Sequence, residues 1–176
     1  GATTVDSGAG LVLTGSVAGA VRNGGNTTIR GGTVAGGVDN SGSLSLDGGT
    51  VGGSVNNNGS LAVSSNGASV GSLTGSGNAA LSGDLTLTDA SGSYSGVISG
   101  SGGVTVAGGT ETLSGANTYT GASTVESGDG LVLTGSVAGD VSNGGNTTIR
   151  GGTVAGGVAN SGSLSVDGGT VGGRAN

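Results

Sequence analysis

The chain of 176 residues contains no cysteine, histidine or lysine, and these absences exclude much of enzyme chemistry. It has no Ser-His-Asp or Cys-His triad, no Ser-Lys dyad, no amine for a Schiff base and no lysine for a phosphate-binding loop. The usual ligands of zinc are missing as well. We therefore expect no cofactor and no zinc site.

Cationic and aromatic residues are scarce too. Four arginines stand against ten acidic residues, giving a net charge of −6, and two tyrosines are the only aromatic residues. Such a chain cannot form the basic groove and the base-stacking surface that nucleic acids require, so we expect no nucleic-acid partner. No apolar run approaches the roughly 18 residues of a membrane helix, and we expect no membrane insertion by this segment.

Glycine is abundant: it makes up 46 of the 176 residues, and proline is absent. By composition alone, this glycine content fits a flexible low-complexity spacer, but periodicity argues against it. A shift of 120 residues lays 1–56 on 121–176 with nine differences in 56 positions. We therefore interpret 1–176 as a single domain that holds one complete repeat unit, 1–120, and the start of a second, 121–176.

A shorter, 17-residue period lies inside the unit and places apolar residues in fixed columns. Seventeen residues per turn of the chain are too few for a pair of helices. In stretches such as Leu44-Ser45-Leu46, apolar and polar residues alternate as they do in strands. In a coil, each short strand would pair with the turns above and below it, about 4.8 Å away. Four columns recur once per turn: Val17, Val34 and Val51; Val21, Val38 and Val55; Thr27, Leu44 and Leu61; Ile29, Leu46 and Val63.

This periodicity predicts an all-β fold, a parallel β-solenoid of roughly nine turns. An asparagine column is expected where the chain turns between faces, because Asn tolerates left-handed backbone conformations and stacked amides hydrogen-bond as a ladder. Glycines such as Gly42 are expected at corners, where positive φ is needed and a side chain would obstruct the next turn. The column consists of Asn23, Asn40 and Asn57, with Asn143 and Asn160 in the second unit.

Residues 112–125 read TLSGANTYTGASTV and resemble the passenger-associated repeat of bacterial autotransporters, whose strand reads close to LTLSGANTYTGATTV. The segment YSGVISGSGG, which starts at Tyr94, is similar to the upstream strand of that family, and 1–5 match the end of the repeat. The resemblance implies a right-handed parallel β-helix in which Tyr119 is a structural residue of the motif. It also implies secretion across the outer membrane of a Gram-negative bacterium by a C-terminal β-barrel translocator outside this segment.

Carboxylates are the remaining candidates for catalysis, because two of them about 5 to 9 Å apart can hydrolyse a glycosidic bond. We expect them instead to cap turns and keep the rod soluble, so no catalytic residue is assigned. Calcium is not expected either, because the acidic positions change between the units. The acids considered are Asp84, Asp89, Glu111, Glu126 and Asp129, with Asp47 and Asp167 at equivalent strand ends.

Together these features favour a non-enzymatic cell-surface passenger segment, a rigid repetitive stalk or adhesin that acts in attachment, aggregation or biofilm formation. The family repeat usually lies near the translocator, and its return in a second 120-residue unit favours a long rod. The expected partners are other copies of the chain, by lateral or axial association, or host and abiotic surfaces and glycans, bound multivalently. Two alternatives stay open: a filament that stacks head to tail through unpaired end turns, and a carbohydrate-active β-helix.

Overall fold

A computed structural model describes residues 1–176 and confirms the predicted all-β solenoid, with strands and turns throughout. The strands pair in parallel, each with the strand one turn earlier and one turn later in the chain. The structure contains no helix of the length and apolarity needed to cross a bilayer.

The structure has 28 short strands. In the first half of the chain they are β1 (Thr3–Val5), β2 (Gly10–Leu13), β3 (Ser16–Val17), β4 (Val21–Asn23), β5 (Asn26–Arg30), β6 (Thr33–Val34), β7 (Val38–Asn40), β8 (Ser43–Asp47), β9 (Thr50–Val51), β10 (Val55–Asn57), β11 (Ser60–Ser65), β12 (Ala68–Val70), β13 (Leu73–Thr74), β14 (Asn78–Leu81) and β15 (Leu85–Leu87). In the second half they are β16 (Ser93–Tyr94), β17 (Ile98–Gly100), β18 (Val104–Val106), β19 (Thr110–Leu113), β20 (Ser123–Val125), β21 (Gly130–Leu133), β22 (Ser136–Val137), β23 (Val141–Asn143), β24 (Asn146–Arg150), β25 (Thr153–Val154), β26 (Val158–Asn160), β27 (Ser163–Asp167) and β28 (Thr170–Val171).

These strands stack on three faces. Face 1 carries β1, β4, β7, β10 and β13, followed by β16, β19, β21, β24 and β27. Face 2 carries β2, β5, β8, β11, β14 and β17, then the irregular segment 116–120, then β22, β25 and β28. Face 3 carries β3, β6, β9, β12, β15, β18, β20, β23 and β26.

Face 1 therefore counts ten turns, against the roughly nine predicted. The residues per turn vary from 16, between Gly10 and its partner Asn26, to 20, between Thr110 and its partner Gly130. At about 4.8 Å per turn, the nine intervals between ten turns give a rod roughly 43 Å long.

The interior is one continuous apolar core. It contains 33 buried residues in a single cluster. The predicted column residues Val34, Val38, Leu44 and Leu46 are at most 1% exposed, while Ser45, between the two leucines, faces outward and is partly exposed. This alternation in and out of the core is what a strand produces.

The structure corrects two predictions for the corners. Gly31 and Gly48 have positive φ, +62° and +69°, as predicted for corner glycines. Gly42 does not: a Cβ there would overlap the carbonyl oxygen of Gly25 in the adjacent turn, so close packing of the backbone excludes a side chain. No residue other than glycine has positive φ. The left-handed backbone predicted for the column asparagines is therefore wrong, and Asn23 instead ends the extended strand β4.

The two repeat units do not start on the same face. Strand β1 lies on face 1 of the first turn, whereas its equivalent in the second unit, β20, lies on face 3 of the seventh turn, where Thr124 pairs with Thr105. The 120-residue unit is therefore six complete turns and two further faces long. Residues 1–56 consequently have their equivalents, 121–176, on a different side of the rod.

Candidate functional site

The asparagine column forms a hydrogen-bonded ladder inside the solenoid. Asn23 Nδ2 donates to Asn40 Oδ1 at 2.7 Å, and Asn40 Nδ2 donates to Asn57 Oδ1 at 2.7 Å. The amide of Asn23 also donates to the backbone oxygen of Ser43 at 2.8 Å. Since the three asparagines are at most 2% exposed, the ladder pairs polar groups that burial would otherwise leave without a partner.

Two hydroxyl groups close this ladder. At one end Thr27 Oγ1 donates to Asn23 Oδ1 at 2.9 Å, and at the other Asn57 Nδ2 donates to the Tyr94 hydroxyl at 2.9 Å. The Tyr94 hydroxyl donates in turn to the carbonyl oxygen of Gly77. Burial raises the pKa of Tyr94, more than the bond from Asn57 lowers it. The phenol therefore stays protonated at neutral pH, as its donor role requires.

The SGANTYTG string forms an irregular turn, although the resemblance led us to expect a strand. Between β19 and β20 it crosses face 2, where Asn117 Oδ1 accepts a hydrogen bond from the Ile98 N–H at 2.9 Å. The Tyr119 hydroxyl bonds to Ser123 Oγ, and both residues are buried. Burial raises the pKa of Tyr119 to about 12. Asn117 and Tyr119 thus hold this turn together from the inside.

The second unit repeats the ladder on face 3. Asn143 Nδ2 donates to Asn160 Oδ1 at 2.7 Å and to the Ser163 backbone oxygen at 2.8 Å. Thr147, the equivalent of Thr27, is buried, but its Oγ1 and the Oδ1 of Asn143 have no hydrogen-bond partner. The ladder is therefore present in both repeat units. The hydrogen bond from the threonine hydroxyl that closes it forms only in the first unit.

Three of the acidic residues considered for catalysis are bonded to a neighbouring turn. Asp84 Oδ1 accepts from the Gly103 N–H at 2.7 Å, and Asp129 Oδ1 accepts from the Gly109 N–H at 3.0 Å. Asp47 accepts from Ser65 Oγ at 2.9 Å and pairs with an arginine of the preceding turn. No group of three or more acidic side chains could hold a metal ion. The other acids considered for catalysis, Asp89, Glu126 and Asp167, are exposed.

Glu111 is the exception, because it is fully buried. It points inward from β19, and its Oε2 accepts a hydrogen bond at 2.9 Å from Ser72, two turns away. The glycine of the turn between them, Gly92, has no room for a Cβ beside Ser72. The Glu111 Oε1 atom has no partner. Burial raises the pKa of Glu111 to about 7, although Ser72 and the backbone of Gly92 and Leu73 lower it in part.

The outer surface carries a shallow groove on face 1, which we call groove 1. It has a volume of about 370 Å³. Its floor is a column of outward side chains in register on four successive turns: Thr4, Arg22, Asp39 and Asn56. Its wall is the corner that follows, with Asp6, Ser7, Gly24, Ser41 and Asn58. Except for one apolar residue, Val5, the groove is lined by polar residues and glycine.

Three charged groups in groove 1 have unused hydrogen-bonding capacity. Arg22, Asp39 and Asp6 are exposed, and none forms a side-chain hydrogen bond or an ion pair, since the single ion pair of the chain joins Arg30 and Asp47 at 3.3 Å. Arg22 and Asp39 were not among the site residues predicted from the sequence. The sequence does contain a signal for them. Arg22 and Asp39 each lie between an inward valine and an inward asparagine, so both side chains must face outward on the same side of the rod.

The second unit contains the equivalent groove, groove 2, on face 3. It is lined by Ser142, Ala159, Asn160, Ser161 and Asn176, with a volume of about 310 Å³. Ser142 stands where groove 1 has Arg22, and Ala159 stands where groove 1 has Asp39. Two grooves built on equivalent strands therefore differ in the charged residues of their floor.

In comparisons with known proteins, no family model, curated protein or solved structure matched this chain. The assignment of function therefore depends on the surface and the interior described above.

Proposed function

We propose that this chain is a non-enzymatic extracellular segment that acts as a rigid repetitive rod, a stalk or adhesin at a bacterial cell surface. The observation that carries this proposal is the parallel stacking of ten turns, from β1 to β28, around one core. Each turn is hydrogen-bonded to both neighbours, so a long solenoid resists bending and can hold its surface away from a cell.

The distribution of acidic side chains supports a role without catalysis. Glycoside hydrolysis needs two carboxyl groups facing one substrate. Here Asp84 and Asp129 cap backbone N–H groups of other turns, and Glu111 is buried in the core. These three acids therefore do not support the alternative of a carbohydrate-active β-helix, and Asp6 and Asp39, which both line groove 1, are tested by the reducing-sugar assay below.

The proposed location outside a Gram-negative cell is supported by the resemblance of 112–125 to the autotransporter passenger repeat. The chain would then be presented by an outer-membrane β-barrel elsewhere in its parent protein. The structure gives the motif a physical role that suits a passenger, because Asn117 and Tyr119 stabilise the turn in which a regular strand is interrupted.

Beads coated with the purified chain test the adhesive role. We expect them to be retained under flow on glycan-coated or plain polystyrene surfaces more strongly than albumin-coated beads. Beads coated with the Leu44→Asp variant are the matched control, because a charge in the core should unfold the rod. Equal retention of chain-coated and albumin-coated beads would contradict the proposal.

Electron microscopy and a reducing-sugar assay test the two alternatives on the same sample. The rod proposal predicts separate particles roughly 43 Å long and no sugar release from polysaccharides. Long uniform fibres at every concentration would favour the head-to-tail filament. Release of reducing sugar would favour the carbohydrate-active enzyme.

A further inference from the structure

We propose that groove 1 is a binding site for a neutral, hydroxyl-rich saccharide, gripped chiefly by Arg22 and Asp39. The proposal rests on the adhesive role above, for which it names the ligand class. It starts from the free donors of the Arg22 guanidinium and the free acceptor oxygens of Asp39, which lie on adjacent turns in register.

The chemistry of the floor matches sugar hydroxyl groups. A hydroxyl group is both a donor and an acceptor. The Asp39 carboxylate accepts from it and the Arg22 guanidinium donates to it. Thr4, which is exposed, and Asn56, which is partly exposed, continue the same column. Adjacent turns are about 4.8 Å apart, close to the length of one pyranose ring, so a saccharide chain along the rod axis would meet a new polar residue at each ring.

The charge of the groove selects among saccharides. Asp6 and Asp39 contribute two negative charges and Arg22 one positive charge, and the whole chain has a net charge of −6. An anionic saccharide, such as a uronic acid polymer, would therefore be repelled. A neutral saccharide experiences no such repulsion.

The scaffold beneath the groove is rigid. Three of the four floor residues, Arg22, Asp39 and Asn56, lie between an inward valine and an inward asparagine. Val21 and Asn23, which flank Arg22, are at most 1% exposed. The side chains therefore need little backbone ordering on binding. The groove is nevertheless shallow and has no aromatic side chain for stacking, so each contact is weak, and strong attachment comes from many grooves acting together.

The two units provide a matched comparison within one chain. Groove 2 is built on the equivalent strands, β23 and β26, but carries Ser142 and Ala159 in place of Arg22 and Asp39. The proposal therefore predicts binding at groove 1 and none at groove 2. It also predicts that binding can be moved between them by exchanging these two residues.

Nuclear magnetic resonance of the isotope-labelled chain tests the proposal, with cellohexaose, maltohexaose and laminarihexaose as neutral probes and hexagalacturonate as the anionic probe. We expect at least one neutral probe to shift the amide signals of groove 1, with a Kd on the order of 1 mM. The Arg22→Ser/Asp39→Ala variant should weaken this binding at least about tenfold. The Ser142→Arg/Ala159→Asp variant should gain a second site at groove 2.

Unchanged circular dichroism in both variants shows that the rod is still folded. Binding that survives in Arg22→Ser/Asp39→Ala, a preference for hexagalacturonate, or no shift with any neutral probe up to about 10 mM would overturn the proposal. The bead assay separates this failure from failure of the adhesive role. Retention on plain polystyrene without any saccharide shift would refute the groove and leave the adhesin standing.

Discussion

The buried carboxyl group of Glu111 makes the stability of the solenoid depend on pH in an unusual direction. Its pKa is raised from 4.5 to about 7 by burial. Below about pH 4.5 the group is protonated in both the folded and the unfolded chain, so the full stability is present. As the pH rises, the unfolded chain releases the proton first, and the folded state loses stability until the folded pKa is passed.

The size of this effect follows from the two pKa values. Each pH unit between them lowers the free energy of unfolding by about 1.4 kcal/mol, so the loss reaches roughly 3 kcal/mol above pH 7. A Glu111→Gln variant keeps the shape of the side chain and an acceptor for Ser72 but cannot ionise. Relative to the natural chain, it should therefore gain roughly 3 kcal/mol between about pH 4 and pH 8.

Urea unfolding of both chains, followed by far-UV circular dichroism at several pH values, measures this difference. A change in hydrogen bonding alters the free energy of unfolding of Glu111→Gln by the same amount at each pH. The part of the difference that varies with pH therefore reports the charge of Glu111. Glu126→Gln is the matched control, because Glu126 is exposed and should show no such gain. A stability difference between natural and Glu111→Gln chains that is constant with pH would refute the reasoning.

A direct titration provides a second readout. Glu111 and Glu126 are the two glutamates of the chain, so selective carbon-13 labelling gives two carboxyl signals that can be assigned with either variant. The Glu111 signal should titrate with a midpoint near 7. A midpoint near the ordinary value of 4.5 would mean that water reaches the carboxyl group and that the core is open there.

Three further substitutions test the architecture by urea unfolding. Leu44→Asp buries a charge and should cost at least about 3 kcal/mol, whereas the outward Ser45→Asp should stay within about 0.5 kcal/mol; equal losses would mean that the register is wrong. Asn40→Ala breaks the ladder and should cost about 1–3 kcal/mol for the unpaired amides; no loss would show that water replaces it. Gly42→Ala should destabilise by overlap with the adjacent backbone, while Gly15→Ala meets nothing within 4 Å and should not; similar losses would point to chain entropy instead.

The repeat made the fold predictable. Alternation within Leu44-Ser45-Leu46 and its return with the 17-residue period specify which side chains face inward, and the structure places these leucines in the core. The short period alone could not predict how the second unit sits on the first, because the length of a turn varies along the chain. The face on which Thr124 lies therefore depends on the irregular middle of the unit.

The site features were harder to predict, for physical reasons. In the sequence, nothing distinguishes Glu111 from the solvent-exposed acids. Its burial depends on Gly92 and on Ser72, which lies 39 residues away. Groove 1 depends on a depression formed at a corner between turns, which no linear pattern reports. Its outward pair, Arg22 and Asp39, could be found only once the neighbouring inward columns had fixed the direction of each side chain.

The comparison of the two units separates what builds the rod from what it displays. Of the nine positions that differ between 1–56 and 121–176, two are buried in the first unit, Leu46 and Val55, and both keep an apolar side chain in the second. The other seven are exposed or partly exposed in the first unit. Because the unit is six complete turns and two further faces long, the differing residues of the second unit lie on another side of the rod from their equivalents in the first. A ligand approaching face 1 meets Arg22 and Asp39 on the floor of groove 1. On face 3, groove 2 has Ser142 and Ala159 at those positions, and the charged residues are Asp140 and Arg174 in the pocket beside it. Variation between units thus gives the sides of the rod different chemistry, while the apolar interior keeps them in one stiff body.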